Sequence, residues 1–345
     1  MRYQNSERTQ ICKNLYIAEK QQADPYTAEV VKRAGKLMEY LYIGEDADIY
    51  VCVGKNSTNI LYAFEGNTKR TVKIQCLHEN MKVICTRTDA DGQKEEWNTI
   101  IQWENMHEAV NLIKLIRNES IWNPVMPCTE ELDRKDGPAE RFNIQKACLF
   151  TGAFNPPTIA HYNMVDVAKT ADHFDYFIYA ASSQQFLEKK QKKTGGGAAF
   201  SEEQRLRMLL LMTRDRPDVL VYGIEHGYTY DVLKDTKERY CIRELYFALG
   251  SDKLKEIGRW GNHNELLREF CFYIVQRKEH TKYIKEECER LFSETAYTVS
   301  LHKNDYYGIS ATQVRDAIKN GKEYRDLVTQ EVYEDLRCIQ YASGV

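Results

Sequence analysis

Apolar and polar positions alternate in a regular rhythm along the second half of the chain, from about residue 146 onward. Short apolar runs, which are typical of buried strands, are separated by stretches whose apolar residues recur at helical spacing. This alternation predicts a parallel sheet with helices on both faces, and such sheets bind ligands beyond the carboxyl ends of the strands, where the strand order reverses. The strand runs are Ala147–Phe150, Tyr176–Ala180, Val219–Tyr222, Leu245–Leu249 and Cys271–Val275, and the helical stretches are Thr158–Lys169, Glu202–Met212, Thr229–Arg239, Asn264–Phe270 and Ile284–Phe292.

The first part of the chain has a different pattern, which predicts a smaller α+β domain of antiparallel character. Two helical patterns come first, and the second of them follows Pro25. Strand-like runs come next, with Asp91-Gly92 as a hairpin turn between the last two, and a helix over His107–Arg117 closes the segment. The strand-like runs are Asp48–Val53, Asn59–Phe64, Thr71–Leu77, Met81–Thr86 and Trp97–Trp103. No group of residues in this segment indicates a reaction, so oligomerisation, regulation and a protein contact are all left open.

Prolines and polar residues mark the boundary between the two patterns. Three of the seven prolines lie in the polar stretch Asn118–Lys146. Such a stretch is typical of a linker between domains. The predicted division is an α+β domain at residues 1–120, a linker at 121–145 and an α/β domain at 146–345.

Composition and charge are those of a soluble globular protein, with 43% apolar residues, 29% charged residues and a formal net charge of −3. A balanced charge gives no indication of a nucleic-acid or membrane partner. No run of about 18 apolar residues is present to span a bilayer, and the first residues lack the apolar segment of a signal peptide. The ten cysteines are scattered without a C-x-x-C pair. These features predict a cytoplasmic protein with free thiols and no protein-bound metal, and they leave homo-oligomerisation open.

The first candidate for chemistry lies where the predicted sheet would bind a ligand, after the strand that ends at Phe150. The sequence Thr151-Gly152-Ala153-Phe154-Asn155-Pro156-Pro157 follows, and a helix begins near Thr158. Gly152 allows close approach of a ligand to the backbone, and a helix N-terminus favours phosphate through its free N–H groups and its dipole. Thr158 and His161 project from the first helical turn, where an imidazole can donate to a phosphate oxygen. A turn followed by an ordinary surface histidine is the alternative for this segment taken alone.

The second candidate stands near the C-terminus. Gly308-Ile309-Ser310 precedes a helix over Ala311–Asn320, for which Ser310 is a good N-cap and Gly321 a good residue just past the end. Arg315 lies one turn into this helix, within reach of a polyphosphate anchored at the helix start. Taken alone, this segment is a capped helix with a solvated arginine.

Together, the two segments resemble the (H/T)-x-x-H and I-S-x-T-x-x-R boxes of the nucleotidyltransferase superfamily. Within it, the chain resembles nicotinamide/nicotinate mononucleotide adenylyltransferases over nearly all of residues 146–340, and its first box is closer to the eukaryotic-type enzymes. Ala160 and Ala311 depart from the family's usual Gly and Ser, which bears on rate and substrate preference more than on fold. Further elements of the family occur in order, namely Ala181-Ser182-Ser183 with Lys189-Lys190, Thr229-Tyr230-Asp231-Val232-Leu233, Leu249-Gly250-Ser251-Asp252 followed by Trp260, and Arg277.

The resemblance implies a Rossmann-like doubly wound sheet and gives roles to particular residues. The catalytic residues would be His161, Arg315 and Lys189. The ATP- and phosphate-binding residues would be Gly152, Ala153, Phe154, Thr158, Ser310 and Thr312. The mononucleotide-binding residues would be Ser182, Lys190, Gly250, Asp252, Trp260 and Arg277. For Trp260, a partly buried core position is the alternative to stacking on a pyridine ring.

The reaction implied by the resemblance is transfer of AMP from ATP to the phosphate of nicotinamide or nicotinate mononucleotide, with release of pyrophosphate. Mg²⁺ would arrive with ATP and be held largely by phosphates and water. The alternatives are a related transferase acting on pantetheine phosphate or FMN, a cytidylyltransferase, and a non-catalytic nucleotide sensor. The sequence does not distinguish nicotinamide from nicotinate.

Overall fold

The computed structural model describes residues 9–12, 15–19, 25–41, 47–53, 57–64, 66, 68–118, 143–194, 200–225, 227–276, 281–292, 295–300 and 305–343. For 9–12, 15–19, 25–27, 190–194 and 341–343, the backbone alone is described. The chain separates into two compact units, Met1–Asn143 and Ile144–Val345. Most of the predicted linker at 121–145 lies outside the described residues, and the division into domains at 120 and 145 stays a prediction.

The first unit is built on a seven-stranded sheet whose strands are ordered as they occur in the chain. Its strands are β1 (Thr9–Cys12), β2 (Leu15–Glu19), β3 (Ala47–Val53), β4 (Thr58–Phe64), β5 (Lys69–Cys76), β6 (Asn80–Thr88) and β7 (Lys94–Gln102), and its helices are α1 (Pro25–Glu39) and α2 (Met106–Arg117). The pairs from β3 to β7 are antiparallel, as predicted. Buried and half-buried residues alternate along β4 and β5, so one face of the sheet carries the core. Gly92 has a φ of +81° between β6 and β7, which confirms the predicted hairpin turn.

One expectation for this unit is wrong. Two helical patterns were expected at its start, but the described residues before α1 form the strands β1 and β2. β2 pairs in parallel with β3. Pairing with a neighbouring strand overrides the weak local preference of so short a segment, since a helix of a few residues is not stable by itself.

The second unit is a six-stranded sheet in which every described pair of strands is parallel. Its strands are β8 (Ile144–Gly152), β9 (Tyr176–Ala181), β10 (Val219–Gly223), β11 (Ile242–Gly250), β12 (Cys271–Val275) and β13 (Tyr297–Ser300). Its helices are α3 (Ile159–Ala171), α4 (Gln184–Thr194), α5 (Glu202–Met212), α6 (Thr229–Arg239), α7 (His263–Glu269), α8 (Thr281–Leu291), α9 (Ala311–Lys319) and α10 (Gln330–Ser343). The strand order is β10-β9-β8-β11-β12-β13. Counted from β8, this is the order 3-2-1-4-5-6 of a doubly wound sheet, which confirms the predicted fold class.

This strand order fixes where a ligand can bind. The order reverses between β8 and β11, which are neighbours in the sheet. Their carboxyl ends, Gly152 and Gly250, therefore border the crevice at the switch point. Every residue of β9 is buried, as expected for a strand with helices on both sides. Among the helices of the described residues, none is long and apolar enough to cross a membrane.

Candidate phosphate-binding site

The segment between β8 and α3 forms a tight turn whose carbonyl groups are held by other elements. The carbonyl of Gly152 accepts from the N–H of Ser182, at 2.8 Å, and from its hydroxyl, at 3.1 Å. The next carbonyl, that of Ala153, accepts from Nη1 of Arg205 on α5, at 2.9 Å. These bonds hold the carbonyl groups of Gly152 and Ala153 toward β9 and α5.

Asn155 joins this turn to the second motif. Its carbonyl accepts from Nη1 of Arg315 on α9, at 2.6 Å, and its side-chain Oδ1 accepts from the N–H of Phe200, at 2.9 Å. Nη2 of Arg315 also donates to the hydroxyl of Thr312, at 3.1 Å. The two sequence motifs, which are 160 positions apart at this bond, therefore meet at one place.

The N–H groups of the turn have no such partners. Among the hydrogen bonds of the described residues, none is donated by the backbone N–H of Ala153, Phe154 or Asn155, and the two prolines that follow have no N–H. Phe154 has a φ of +44° in the left-handed region, and it is buried. Successive N–H groups in such a conformation form a concavity that binds anions. Among the described residues, the turn thus has its Gly152, Ala153 and Asn155 carbonyls paired and the N–H groups of Ala153, Phe154 and Asn155 without an acceptor.

His161 is held in one orientation at the start of α3. Its Nδ1 lies 2.9 Å from the backbone N of Thr158 and 2.8 Å from the Thr158 hydroxyl. Because a backbone N–H can only donate, Nδ1 is an acceptor, and the proton of the neutral ring lies on Nε2. The ring of Phe154 packs edge-on against the imidazole with centroids 5.0 Å apart. Behind it, the hydroxyl of Tyr179 donates to the His161 carbonyl at 2.6 Å, and burial raises the pKa of Tyr179 so that this hydroxyl stays protonated.

Ser310 caps α9, as predicted. Its hydroxyl accepts from the N–H of Gln313, at 3.4 Å, and the Gln313 side chain accepts from the N–H of Ser310, at 2.7 Å. Gly321, with a φ of +59°, ends the helix as expected. Ser310 and Thr312 are both exposed at the start of the helix. The Ser310 hydroxyl also donates to Oε1 of Gln313, at 3.1 Å, and the Thr312 hydroxyl accepts from Arg315.

The paired lysines of the motif and Arg277 have no contact with the turn within the part of the chain that the structure describes. Lys189 is exposed on α4, and none of its described contacts reaches the phosphate-binding turn. The side chain of Lys190 and the whole of Arg277 lie outside the described residues. The roles of these three residues stay predictions.

Two predicted mononucleotide-binding residues follow β11, across the switch point from the turn. Gly250 is the last residue of that strand, which pairs with β8. Asp252 is exposed in the single helical turn Ser251–Lys253, and its carboxylate lies 3.9 Å from Nζ of Lys253. A carboxylate so placed can accept from a ligand hydroxyl.

Trp260 stands beside a tyrosine that the sequence analysis did not assign to the site. The Trp260 ring packs edge-on to Phe247, with centroids 6.2 Å apart, and is half-buried. The ring of Tyr228 lies against the backbone of Gly261, because a Cβ added to Gly261 would be 2.8 Å from that ring. The Tyr228 side chain is 62% exposed. The loop after β10 therefore places the Tyr228 ring next to Gly261, the residue that follows Trp260.

The sequence profile of the cytidylyltransferase-like family matches residues 149–317, which include both phosphate motifs. This part of the chain belongs to that family. The resemblance on which the sequence analysis depended is thereby confirmed.

Curated relatives carry the names of adenylyltransferases. A probable nicotinate-nucleotide adenylyltransferase of Fusobacterium nucleatum is 29% identical over 194 residues, which are 54% of this chain and 94% of that protein. A protein of the same name from Caldicellulosiruptor bescii is 28% identical over 197 residues, 56% of this chain and 96% of its own. A solved structure, the Plasmodium falciparum nicotinic acid mononucleotide adenylyltransferase complexed with NaAD, matches with a TM-score of 0.46 and 17% identity over 58% of this chain and 98% of that one.

Besides Tyr228, sequence reasoning missed two residues that shape this cytidylyltransferase-like site. Asn155 was part of the motif but received no role, because only the structure shows that both its backbone and its side-chain oxygens accept hydrogen bonds. Arg205 lies two positions from Arg207 on α5, and the two arginines stand on either side of Leu206. Only the fold separates them, since Arg205 is fully buried and the Arg207 side chain is 37% exposed.

Proposed function

We propose that the C-terminal unit transfers the AMP group of ATP to the phosphate of nicotinate mononucleotide, giving the deamido form of NAD and pyrophosphate. The fold and the family are those of nucleotidyltransferases, and the curated relatives named above act on nicotinate nucleotides according to their names. The observation that carries the proposal is the meeting of the turn after β8 with Arg315.

The site supplies positive charge and hydrogen-bond donors, which is what a triphosphate needs. The N–H groups of Ala153, Phe154 and Asn155 have no acceptor among the described residues. The N-termini of α3 and α9 add their dipoles. Nε2 of His161 and the remaining donors of Arg315 complete the set. We assign these groups to the phosphates of ATP, together with the hydroxyls of Ser310 and Thr312.

The reaction needs no nucleophile from the protein. An oxygen of the mononucleotide phosphate attacks the α-phosphorus of ATP, the bond from that phosphorus to the oxygen bridging it to the β-phosphorus breaks, and pyrophosphate leaves with the electron pair. Catalysis then consists of positioning the two substrates and stabilising the charge that develops on the leaving group. One preorganised donor contributes about 3 kcal/mol, or roughly 100–1000-fold in rate.

The mononucleotide is proposed to bind on the β11 side of the switch point. Trp260 and the exposed Tyr228 offer aromatic faces to the pyridine ring. Gly250 permits close approach of the ribose phosphate, and the carboxylate of Asp252 suits a ribose hydroxyl. Ser182, at the end of β9, borders the same crevice through its bonds to Gly152. Lys189, Lys190 and Arg277 stay in the proposal as further phosphate ligands.

Mg²⁺ is proposed to enter with ATP. The donor set described above consists of N–H groups, hydroxyls, an imidazole and a guanidinium, which suits phosphate oxygens rather than a hard cation. When bound, the ion would neutralise part of the triphosphate charge. The residues of the chain would contact it through the phosphates.

The deciding experiment measures pyrophosphate release from ATP with nicotinate mononucleotide and, separately, with nicotinamide mononucleotide. We expect turnover with nicotinate mononucleotide and a roughly 100–1000-fold loss in His161→Ala. His173→Ala is the matched control, because His173 is exposed just beyond the other end of α3. It should leave the rate unchanged.

Other outcomes of the same assay would point elsewhere. Turnover with pantetheine phosphate or FMN but with neither pyridine mononucleotide would indicate a different transferase of the family. Tight ATP binding without pyrophosphate release would indicate a nucleotide sensor. We also propose a cytoplasmic location, because the cysteines of the described residues are free thiols, which suits a reducing compartment. Homo-oligomerisation stays a prediction that light scattering can test.

A further inference from the structure

Arg205 is the largest fully buried side chain among the described residues. It lies in the first turn of α5, and its guanidinium reaches two backbone carbonyls. Nη1 donates to Ala153 at 2.9 Å, and Nε donates to Phe200 at 3.3 Å. Nη2 is buried, and no hydrogen-bond partner for it lies among the described residues.

A buried guanidinium is an unfavourable choice for packing alone. Its charge is costly to remove from water, and an apolar side chain of the same volume would fill the space without that cost. Burial lowers the pKa of Arg205, and the nearby Glu202 acts in the opposite direction. The Glu202 carboxylate accepts from the N–H of Gln184, at 2.9 Å, and no described ion pair joins it to Arg205. Arg205 is therefore anchored by neutral carbonyls and not by a carboxylate.

One of these two carbonyls belongs to the phosphate-binding turn. The Ala153 carbonyl lies between the N–H groups of Ala153 and Phe154, and rotation of that peptide plane would reverse the direction of the Phe154 N–H. Phe154 is also the residue with a positive φ, and its ring packs on His161. The bond from Arg205 thus fixes the peptide plane on which the direction of a ligand-facing donor depends.

The other carbonyl belongs to the segment that holds Asn155. The N–H of Phe200 donates to Oδ1 of Asn155, and the Phe200 carbonyl accepts from Arg205. The Asn155 backbone carbonyl in turn accepts from Arg315. Through these bonds, one guanidinium fixes the turn directly at Ala153 and indirectly at Asn155.

We infer that Arg205 is a positioning residue that holds the phosphate-binding turn in the conformation whose N–H groups face the triphosphate. It does so without touching the substrate, because its guanidinium is enclosed by the protein. The inference rests on the proposed function, in that it takes the turn to bind the triphosphate of ATP. It predicts that losing Arg205 weakens the binding of ATP more than that of the mononucleotide, since the pyridine ring is proposed to bind at Trp260 and Tyr228 and not at the turn.

The test compares Arg205→Met, Arg205→Lys and the control Arg207→Met in the full-length protein. Methionine fills much of the arginine volume without donating. Lysine keeps the charge and one donor centre, so it can still reach one carbonyl. Arg207 is on the same helix but pairs with the buried Asp335 of α10, so its loss disturbs α5 without breaking a bond to the turn. The KM for ATP, the KM for nicotinate mononucleotide and kcat are measured below the unfolding transition of each variant.

In Arg205→Met, we expect the KM for ATP to rise at least tenfold, the KM for the mononucleotide to change less than threefold, and kcat to fall. Arg205→Lys can reach only one of the two carbonyls, so it should show a smaller but still selective rise in the KM for ATP. Arg207→Met should keep both KM values even if its melting temperature falls further. If Arg205→Met and Arg207→Met change the KM for ATP and the KM for the mononucleotide to the same extent, the inference is overturned. If Arg205→Met does not fold, an unchanged KM for ATP in folded Arg205→Lys would overturn it, and a selective rise would support it. Failure of the proposed function is a separate result, namely absence of turnover in the unsubstituted protein.

Discussion

Nη1 of Arg315 donates a hydrogen bond to the backbone carbonyl of Asn155, at 2.6 Å. This bond ties the start of α9 to the turn before α3 and so brings two helix N-termini to one side of the sheet. The partner is a neutral carbonyl, and no described ion pair involves Arg315. A guanidinium has five N–H donors, and these bonds occupy two of its nitrogens. No described carboxylate therefore neutralises its charge, and its remaining donors can bind the anionic ligand that we propose.

Replacing Arg315 tests this arrangement directly. We expect Arg315→Ala to lower kcat/KM for ATP roughly 100–1000-fold, because a positioned charged donor to the phosphates is lost. Arg315→Lys keeps the charge but not the planar fork, so it should recover only part of that loss. Lys319→Ala, one turn further along the same helix, is the control and should behave like the unsubstituted protein. Equal rates in Arg315→Ala and Lys319→Ala would show that the guanidinium does not serve the reaction.

The orientation of His161 gives a second prediction, in which two amide replacements differ. Glutamine can place an amide N–H near the position of Nε2, whereas asparagine places its amide near Nδ1, the atom that accepts from Thr158. We therefore expect His161→Gln to retain at least tenfold more kcat than His161→Asn. Nitrogen NMR shifts of the imidazole in the free protein should show the proton on Nε2. A neutral ring protonated at Nδ1 would contradict the assignment, whatever the kinetic result.

The sheet of the second unit could be predicted from sequence because its strands are short apolar runs. Such runs are distinctive when both faces of a strand are covered, as in β9 and β12. Three elements of this unit, namely β13, α4 and α10, were not foreseen as regular structure. β13 is a four-residue strand at the sheet border with one fully buried residue, so it leaves almost no apolar signal. α4 carries many lysines and has no clear apolar face in sequence.

The site was only partly predictable, because motifs name residues but not their partners. The pairing of Thr158 with His161 is local and follows from their spacing on one helical turn. The bonds of Arg205 to Ala153 and of Arg315 to Asn155 join segments far apart in the chain. The periodicity of apolar residues in the sequence does not indicate contacts between such distant segments. The Tyr228 ring likewise reaches Gly261, the residue after Trp260, only because β10 and β11 end on the same side of the sheet.

Gly152 gives a third prediction, which concerns space and not backbone conformation. A Cβ at this position would lie 3.2–3.4 Å from three atoms of the Phe154 ring. Because that ring also packs against His161, its displacement should move the imidazole. We expect Gly152→Ala to lower kcat about tenfold, or about 1.4 kcal/mol in the barrier. Gly308→Ala is the control, since an added Cβ there meets nothing within 4 Å. Full activity of Gly152→Ala would show that the ring can move without disturbing the site.

The fourth prediction concerns stability and pH, and it rests on an ion pair at the amino end of the sheet. Nζ of Lys146 on β8 bonds to the Asp172 carboxylate after α3, and the His173 N–H donates to the other oxygen. Burial by itself would raise the pKa of Asp172, but the bonds from Lys146 and His173 outweigh it and hold the pKa below its usual value. A carboxyl with a lowered folded-state pKa stabilises the protein above its unfolded-state pKa. That contribution is lost as the pH falls below about 4.

Asp172→Asn should therefore lower the free energy of unfolding by about 1.5–3 kcal/mol at pH 7, the usual contribution of a hydrogen bond to a charged group. The difference from the unsubstituted protein should shrink as the pH is lowered from 5 to 3, because the wild-type carboxyl then binds a proton. Urea unfolding midpoints of the full chain at a series of pH values measure this. In a Lys146→Gln background, the same substitution should have a smaller effect at pH 7, since the ion pair is already absent. A destabilisation by Asp172→Asn that stays constant from pH 7 to pH 3 would show that the charge of Asp172 does not contribute.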